Sequence, residues 1–270
     1  MSRCCRLFGL SRQAIYQAEA RSAKRSEQLS QVLPYVLELR MNMPRIGTRK
    51  MYHLLKEQFK DMGIKMGRDG FFNFLRQSGL LVKPRKVYVK TTNSKHWMRK
   101  HPNLLSDYKP SSPEEVFVSD ITYVKSKEGT HYLSLVTDAY SRKIMGYKLA
   151  NDMKAETVRD ALSMAIASKK TSKETIHHSD RGLQYCADVY QKELAKGNMK
   201  PSMTDGYDCY QNALAERING ILKGEFLIYK CNTLEELNKM VEQTINTYNS
   251  RRPHLSLNMN TPNFEHEKSP

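Results

Sequence analysis

Hydrophobic spacing changes along this chain from a helical period to a two-residue alternation. Leu54, Leu55, Phe59, Phe71, Phe74 and Leu75 recur at helical intervals and predict a small packed core. The helices expected around it are Val32–Met41, Arg49–Phe59 capped by Thr48, and Arg68–Ser78 closed by Gly79, with a turn at Pro44–Gly47. Upstream, a short apolar helix before Gly9 and a second one capped by Ser11 read as a helical hairpin of the helix-turn-helix type. Beyond Pro110-Ser111-Ser112-Pro113 the pattern alternates. Val116–Val124, Tyr132–Thr137 and Lys143–Leu149 predict three antiparallel strands joined at Gly129 and Asp138–Ser141. An amphipathic helix follows at Glu156–Ser168, with Val158, Leu162, Ala165 and Ile166 on one face. Strand Thr175–His178, helix Ala187–Lys196, strand Pro201–Thr204, a loop at Asp205–Gln211, and helices Asn212–Lys223 and Leu234–Ser250 complete the order.

Three hairpin strands followed by alternating helix and strand are the order of an α/β, ribonuclease-H-like fold: a mixed five-stranded sheet with flanking helices, here behind a small all-α region. The expected organisation is a helix-turn-helix-like segment at 1–26, a basic three-helix DNA-binding domain at 27–82, a basic linker at 83–112 and a catalytic core with a helical tail at 113–270. The linker, punctuated by prolines and poor in periodic apolar positions, reads as extended, lying along a DNA backbone.

Charge sharpens this division. The net +16 lies wholly in Met1–Pro110, which holds 23 Lys/Arg against 7 Asp/Glu, while the remaining 21 and 21 cancel. That concentration exceeds what solubility requires and points to nucleic acid, with binding weakened by salt through counterion release. Arg12, Arg45, Arg49, Lys50, Arg68 and Arg76 are the expected phosphate contacts. The five cysteines lack paired metal-ligand spacing, and neither a membrane-length apolar run nor a secretory leader is visible, so a cytoplasmic setting is expected.

Three acids carry the candidate chemistry. Asp120 stands mid-strand, where Asp is disfavoured. Asp180 follows the fourth strand in HHSDRG, and Glu216 lies one turn into the next long helix, 35 residues after Asp180. Taken singly, each reads as an edge, turn or exposed helix residue. Together, in this element order, they would converge on divalent cations, two Mg²⁺ ions about 3.5–4 Å apart clamping the attacking and leaving oxygens of a phosphate displacement. Asp138 reads as a turn-ordering residue, Asp205 and Asp208 as loop residues, and His177 and His178 as strand-end hydrogen-bond donors near DNA.

SDITYV (Ser119–Val124), TDAYSRKIMGY (Thr137–Tyr147), HSDRGLQY (His178–Tyr185), NALAERINGILKGE (Asn212–Glu225) and YNSRRPHLSLNMNTP (Tyr248–Pro262), with PRIGTRKMYHLL and GRDGFFNFLRQSGLL upstream, resemble the OrfB-type transposases of bacterial insertion sequences, members of the retroviral-integrase superfamily. The resemblance implies a DDE enzyme in which Asp120, Asp180 and Glu216 hold Mg²⁺ or Mn²⁺, first for nicking DNA and then for attack of a 3′-OH on target DNA. It implies Arg181, Gly182, Lys223, Arg251, Arg252, Pro253 and His254 near the DNA, a homo-oligomer in the synaptic complex, and a fusion with an upstream reading frame. Two departures are visible: Phe117 where the family usually has Trp, and Gln211 where it usually has an acid. The competing readings are a catalytically inactive DNA-binding repressor of element ends and a ribonuclease-H-type nuclease of RNA–DNA hybrids.

Overall fold

The computed structural model describes residues 5, 7, 9, 11–83, 100–106, 108–204 and 212–268. Most of the short helix expected before Gly9, linker positions 84–99, and the Asp205–Gln211 loop with Asp205, Asp208 and Gln211 lie outside the described residues. The chain forms two compact units, Met1–Lys83 and Pro84–Pro270.

The first unit contains α1 (Arg12–Asn42), α2 (Thr48–Asp61) and α3 (Arg68–Gln77). Ser11 caps α1, its hydroxyl accepting from the Ala14 amide at 3.0 Å. The two helices expected at Ser11–Ala20 and Val32–Met41 are one, running through the 26/27 boundary. No glycine or proline interrupts residues 21–31, so nothing breaks the helix there. Pro34 lies inside α1, and buried Val32 and Val36 on either side anchor the turn that lacks its amide. Gly47, rather than Thr48, is the cap of α2. Leu55, Phe59, Phe71, Phe74 and Leu75 are buried as expected, whereas Leu54 is half-buried. Arg40 donates to the carbonyls of Pro44, Ile46 and Leu80 at 2.8, 3.0 and 3.1 Å, tying the end of α1 to the turn and to the end of α3.

The second unit is built on β1 (Val116–Lys125), β2 (Thr130–Asp138), β3 (Ile144–Ala150), β4 (Thr175–Ser179) and β5 (Met199–Met203), in the order β3-β2-β1-β4-β5. β1–β2 and β2–β3 pair antiparallel; β1–β4 and β4–β5 pair parallel. Helices α4 (Ala155–Ser168), α5 (Leu183–Cys186) and α6 (Asp188–Lys196) supply the crossovers, followed by α7 (Ala213–Ile221), α8 (Leu234–Ser250) and α9 (Pro262–Lys268). Alternation divides β1 between two cores. Phe117 packs with Val136, Leu162, Tyr190 and Leu194 on one face, and Val116 and Val118 pack with Ala139 and Ala215 on the other. The described end of the linker does not run free. Pro102 accepts from the Met203 amide at 3.3 Å and the Leu104 amide donates to Ser202 at 2.9 Å, because the open backbone of β5 takes a hydrogen-bonding neighbour.

Gly146 marks the closest approach of β3 and α4: a Cβ there would stand 2.1 Å from the Ala161 carbonyl oxygen and 2.7 Å from the Ala165 nitrogen. Backbone cannot yield as a side chain can. Gly146→Ala is therefore expected to destabilise the unit by at least about 1–3 kcal/mol, read from urea unfolding midpoints.

Candidate active site

The β1–β4 register aligns Val116 with Ile176 and Val118 with His178, so two further residues bring Asp120 level with Asp180. Asp120 shares the strand parity of Val116 and Val118 and so lies on the face that Ala215 of α7 covers. One Asp120 oxygen accepts from the Ile121 amide at 2.9 Å and the other from Asn219 Nδ2 at 2.7 Å. Asn212 Nδ2 donates to the Ser119 carbonyl at 3.1 Å, fastening the start of α7 beside Asp120. Asn212, Glu216 and Asn219 are three to four residues apart and share one side of the helix. Asp180 accepts from the Gly182 amide at 3.0 Å; a Cβ on Gly182 would sit 3.0 Å from that same carboxylate oxygen, so a side chain there would press the carboxylate out of place by a few tenths of an ångström.

The three acids feel one another. Burial, then the charge of Asp180, pushes the Asp120 carboxyl up to about 7; Glu216 adds to this, and the Asn219 and Ile121 hydrogen bonds partly offset it. Glu216, exposed on α7, is raised by partial desolvation and then by Asp180. Lys223, seven residues beyond Glu216, is lowered by burial and held up by Asp120. Among the described residues, no three Asp, Glu, His or Cys side chains stand within reach of one common ion. The acids are thus electrostatic neighbours that do not meet at a single point. Asp120, in the middle of β1, and Asp180, one residue past the end of the neighbouring β4, form the rigid part, while Glu216 projects from a helix. An all-oxygen, like-charged donor set fits a hard divalent cation, and a Mg²⁺-type ion, which keeps several waters, is seated by one or two carboxylates.

His177 and His178 do not face solvent. Both are buried in β4; His177 Nε2 lies 2.8 Å from Ser119 Oγ and 2.9 Å from the Tyr190 hydroxyl. Burial, then His178, depresses His177 to about 3, leaving it neutral. The expected strand-end donor near DNA is instead a structural link between β1 and α6, because β4 is an inner strand covered on both faces. Asp138 does order its turn, accepting from the amides of Glu114 and Ser141 at 2.9 and 2.7 Å.

Comparison with known proteins bears on this arrangement. Two family models, each described as an integrase core domain, match residues 110–209 and 198–262. The chain is 34% identical to the insertion element IS600 uncharacterized 31 kDa protein of Shigella sonnei over 98% of its own length and 97% of the relative's. It is 30% identical to the putative transposase for insertion sequence element IS986/IS6110 of Mycobacterium tuberculosis, over 76% of each chain. The chain belongs to the insertion-sequence transposases of the DDE/integrase superfamily. A chain in the structure of the simian T-cell lymphotropic virus intasome in complex with PP2A regulatory subunit B56 gamma has a similar fold, with a TM-score of 0.52 at 17% identity over 84% of this chain and 72% of that one. The transposase is an enzyme of the polynucleotidyl-transferase type, and its five-stranded mixed sheet is the expected ribonuclease-H-like one.

The basic residues of the transposase fall into different settings. In the first unit Arg12, Arg49, Arg68 and Arg76 are exposed, and Arg45 and Lys50 are half-buried. Arg76 covers the Phe72 ring at 4.9 Å, and Arg45 donates to the Lys83 carbonyl. In the second unit Arg181 and Lys223 are half-buried and Arg251 is exposed. Arg252 and His254 are buried, 2% and 6% exposed, which corrects their expected place against DNA. The Arg252 guanidinium is engaged by Glu225, and His254 accepts from it. Sequence reasoning also missed Asn212 and Asn219. An Asn in the interior of a helix is unfavourable unless its amide has a partner, and that was the available signal at Asn219.

Proposed function

We propose that this transposase nicks DNA at the ends of its element and joins the freed 3′ ends to target DNA, with Asp120, Asp180 and Glu216 as the catalytic carboxylates holding Mg²⁺ or Mn²⁺, two ions per site. The observation that carries the reading is that Asp120, in β1, and Glu216, on α7, are each raised first by burial and then by the charge of Asp180, which follows β4. Divalent cations bound there would neutralise charge on the attacking and leaving oxygens of the phosphate. The chain's own groups prepare that step. Asn219 and the Ile121 amide hold Asp120 in one orientation, the Gly182 turn fixes Asp180, and Lys223 offers an ammonium beside Asp120 for a DNA phosphate.

The domain reading follows from charge and fold together. The basic helical region, 1–26 with 27–82, binds element-end DNA through Arg12, Arg45, Arg49, Lys50, Arg68 and Arg76. The linker 83–112 joins it to the core at 113–270, where Arg181 and Arg251 contact the same DNA. The enzyme acts as a homo-oligomer in the cytoplasm, nucleoid-associated when bound to DNA, and as a fusion with the upstream reading frame. No helix among the described residues is long and apolar enough to cross a membrane.

A nicking and joining assay on duplex element ends with Mg²⁺, comparing wild type with Asp120→Asn, tests the reading. Metal-dependent scission and joining by wild type, lost in the variant, is the expected result. DNA binding without scission would favour the repressor, and cleavage confined to RNA–DNA hybrids would favour the nuclease. For the basic region, Arg49→Ala is expected to weaken binding and flatten the plot of log K against log salt by about one unit, as for one lost phosphate contact, in a fluorescence anisotropy titration.

A further inference from the structure

The Arg251-Arg252-Pro253-His254 motif places two arginines side by side with opposite fates. Arg251 is exposed, whereas Arg252 is among the largest fully buried side chains of the protein. Its Nε donates to Glu225 Oε2 at 2.9 Å and its Nη2 to Glu225 Oε1 at 2.7 Å, a two-pronged pair that only a planar guanidinium makes. Its third nitrogen donates to His254 Nε2 at 3.0 Å. Its charge lies 5.8 Å from the centre of the Tyr248 ring. Tyr248 is itself fastened by donation to the Arg142 carbonyl at 3.0 Å and meets the His254 ring edge-on at 5.1 Å.

Glu225 lies in an unusual place. Past Ile221, helix α7 widens into a π-helical turn, Leu222–Phe226. Such turns are rare and frequently lie at functional sites. Leu222 and Phe226 bury the apolar side of the turn, and Arg252 grips its polar side through Glu225. Between them stands Lys223, two residues before Glu225. A buried pair contributes little net stability over an apolar substitute, so its geometry, rather than its energy, is what distinguishes it.

We propose that Arg252, backed by His254 and Tyr248, is a positioning residue that clasps Glu225 to hold the π-helical turn, and so sets Lys223 beside Asp120 for contact with DNA. The inference rests on the proposed reading of the carboxylate site. It replaces the expected DNA contact of Arg252 and His254 with an indirect role. A stretched or regularised turn would rotate Lys223 away from Asp120, since one residue's change of helical phase is about 100°.

The test uses the full chain in two arms. Arg252→Lys keeps the charge and loses the two-pronged grip, and the double variant Arg252→Met with Glu225→Met replaces the pair with apolar groups and guards against simple misfolding. In the first arm, hydrogen–deuterium exchange read by mass spectrometry is expected to quicken at residues 222–227 in both variants and to stay unchanged in β1 and β4. Unchanged exchange at 222–227, or acceleration spread equally over β1 and β4, overturns the clasp. In the second arm, single-turnover strand joining at saturating DNA is expected to fall by about 10–100-fold in Arg252→Lys, the range for loss of a residue that orients a site group. Placed in a Lys223→Ala background, Arg252→Lys is expected to cause no further fall. Independent, multiplying losses would overturn the proposal, because the clasp would then act elsewhere. Should wild type join no DNA, the carboxylate reading fails, and the exchange arm alone decides the clasp.

Discussion

Glu216→Gln loses DNA nicking and strand joining together, each by at least about 100-fold, the scale on which removal of one charge-stabilising group acts, and keeps its affinity for element-end DNA. The substitution retains size and hydrogen-bonding capacity and removes only the charge. Glu216 is exposed on α7 and is not part of either apolar core, so the fold does not depend on it. On the proposed reading one set of carboxylates serves both displacements, so nicking and joining fall together, and the basic region proposed to supply affinity belongs to a separate compact unit. Gel shift and joining assays on pre-nicked and intact ends separate these quantities. A variant that still joins pre-nicked ends at the wild-type rate would show that Glu216 serves only the first step.

In the cation-free protein Asp120 contributes stability that falls as pH rises from about 4 to about 7, and Asp120→Asn removes that contribution. The sign follows from the Asp120 carboxyl, raised from 3.8 to about 7. Between those values the folded chain keeps the proton and the unfolded chain has released it, so the unfolded state binds fewer protons and stability declines with pH. At about 1.4 kcal/mol per pH unit the whole span amounts to at most about 4 kcal/mol. Glu216 is raised too and acts in the same direction. His177, depressed by burial from 6.5 to about 3, acts oppositely across most of this window, and Glu115, held down to about 2 by its Ser111, Ser112 and Tyr108 partners despite partial burial, does so at the acid end, so the difference between wild type and Asp120→Asn isolates the site. Mg²⁺ reverses the trend: it binds the ionised carboxylates, so its stabilisation grows with pH until about 7. Thermal unfolding with and without Mg²⁺ across this range reads both effects; equal slopes in wild type and variant would falsify the assignment of the raised carboxyl to Asp120.

Much of the sheet was legible because its signals are local. Alternation in Val116–Val124 and Tyr132–Thr137 located β1 and β2 to within two residues, and the helix expected at Leu234–Ser250 has those bounds, capped by Thr233. The order of elements placed Asp120 and Asp180 on adjoining strands, which the parallel β1–β4 pairing realises. What escaped depends on contacts distant in sequence. Nothing local distinguishes Arg251, in solvent, from Arg252, whose partner Glu225 is 27 residues away. The π-helical turn has no hydrophobic period of its own. Arg40 looks like any helix-end cation until the carbonyls of Pro44, Ile46 and Leu80 surround it. At α1 the expected break is absent because residues 21–31, mostly polar, contain no glycine or proline, and polar helix formers continue a helix as well as apolar ones do.

The central claim, that the carboxylates of Asp120, Asp180 and Glu216 seat a divalent cation, is tested most directly by anomalous scattering from Mn²⁺ in crystals of the transposase bound to an element-end duplex. The account predicts a manganese peak about 2.1 Å from oxygens of both Asp120 and Asp180, with Glu216 turned toward the same site. A peak elsewhere on the protein, or none under conditions in which the same preparation joins DNA, would contradict it.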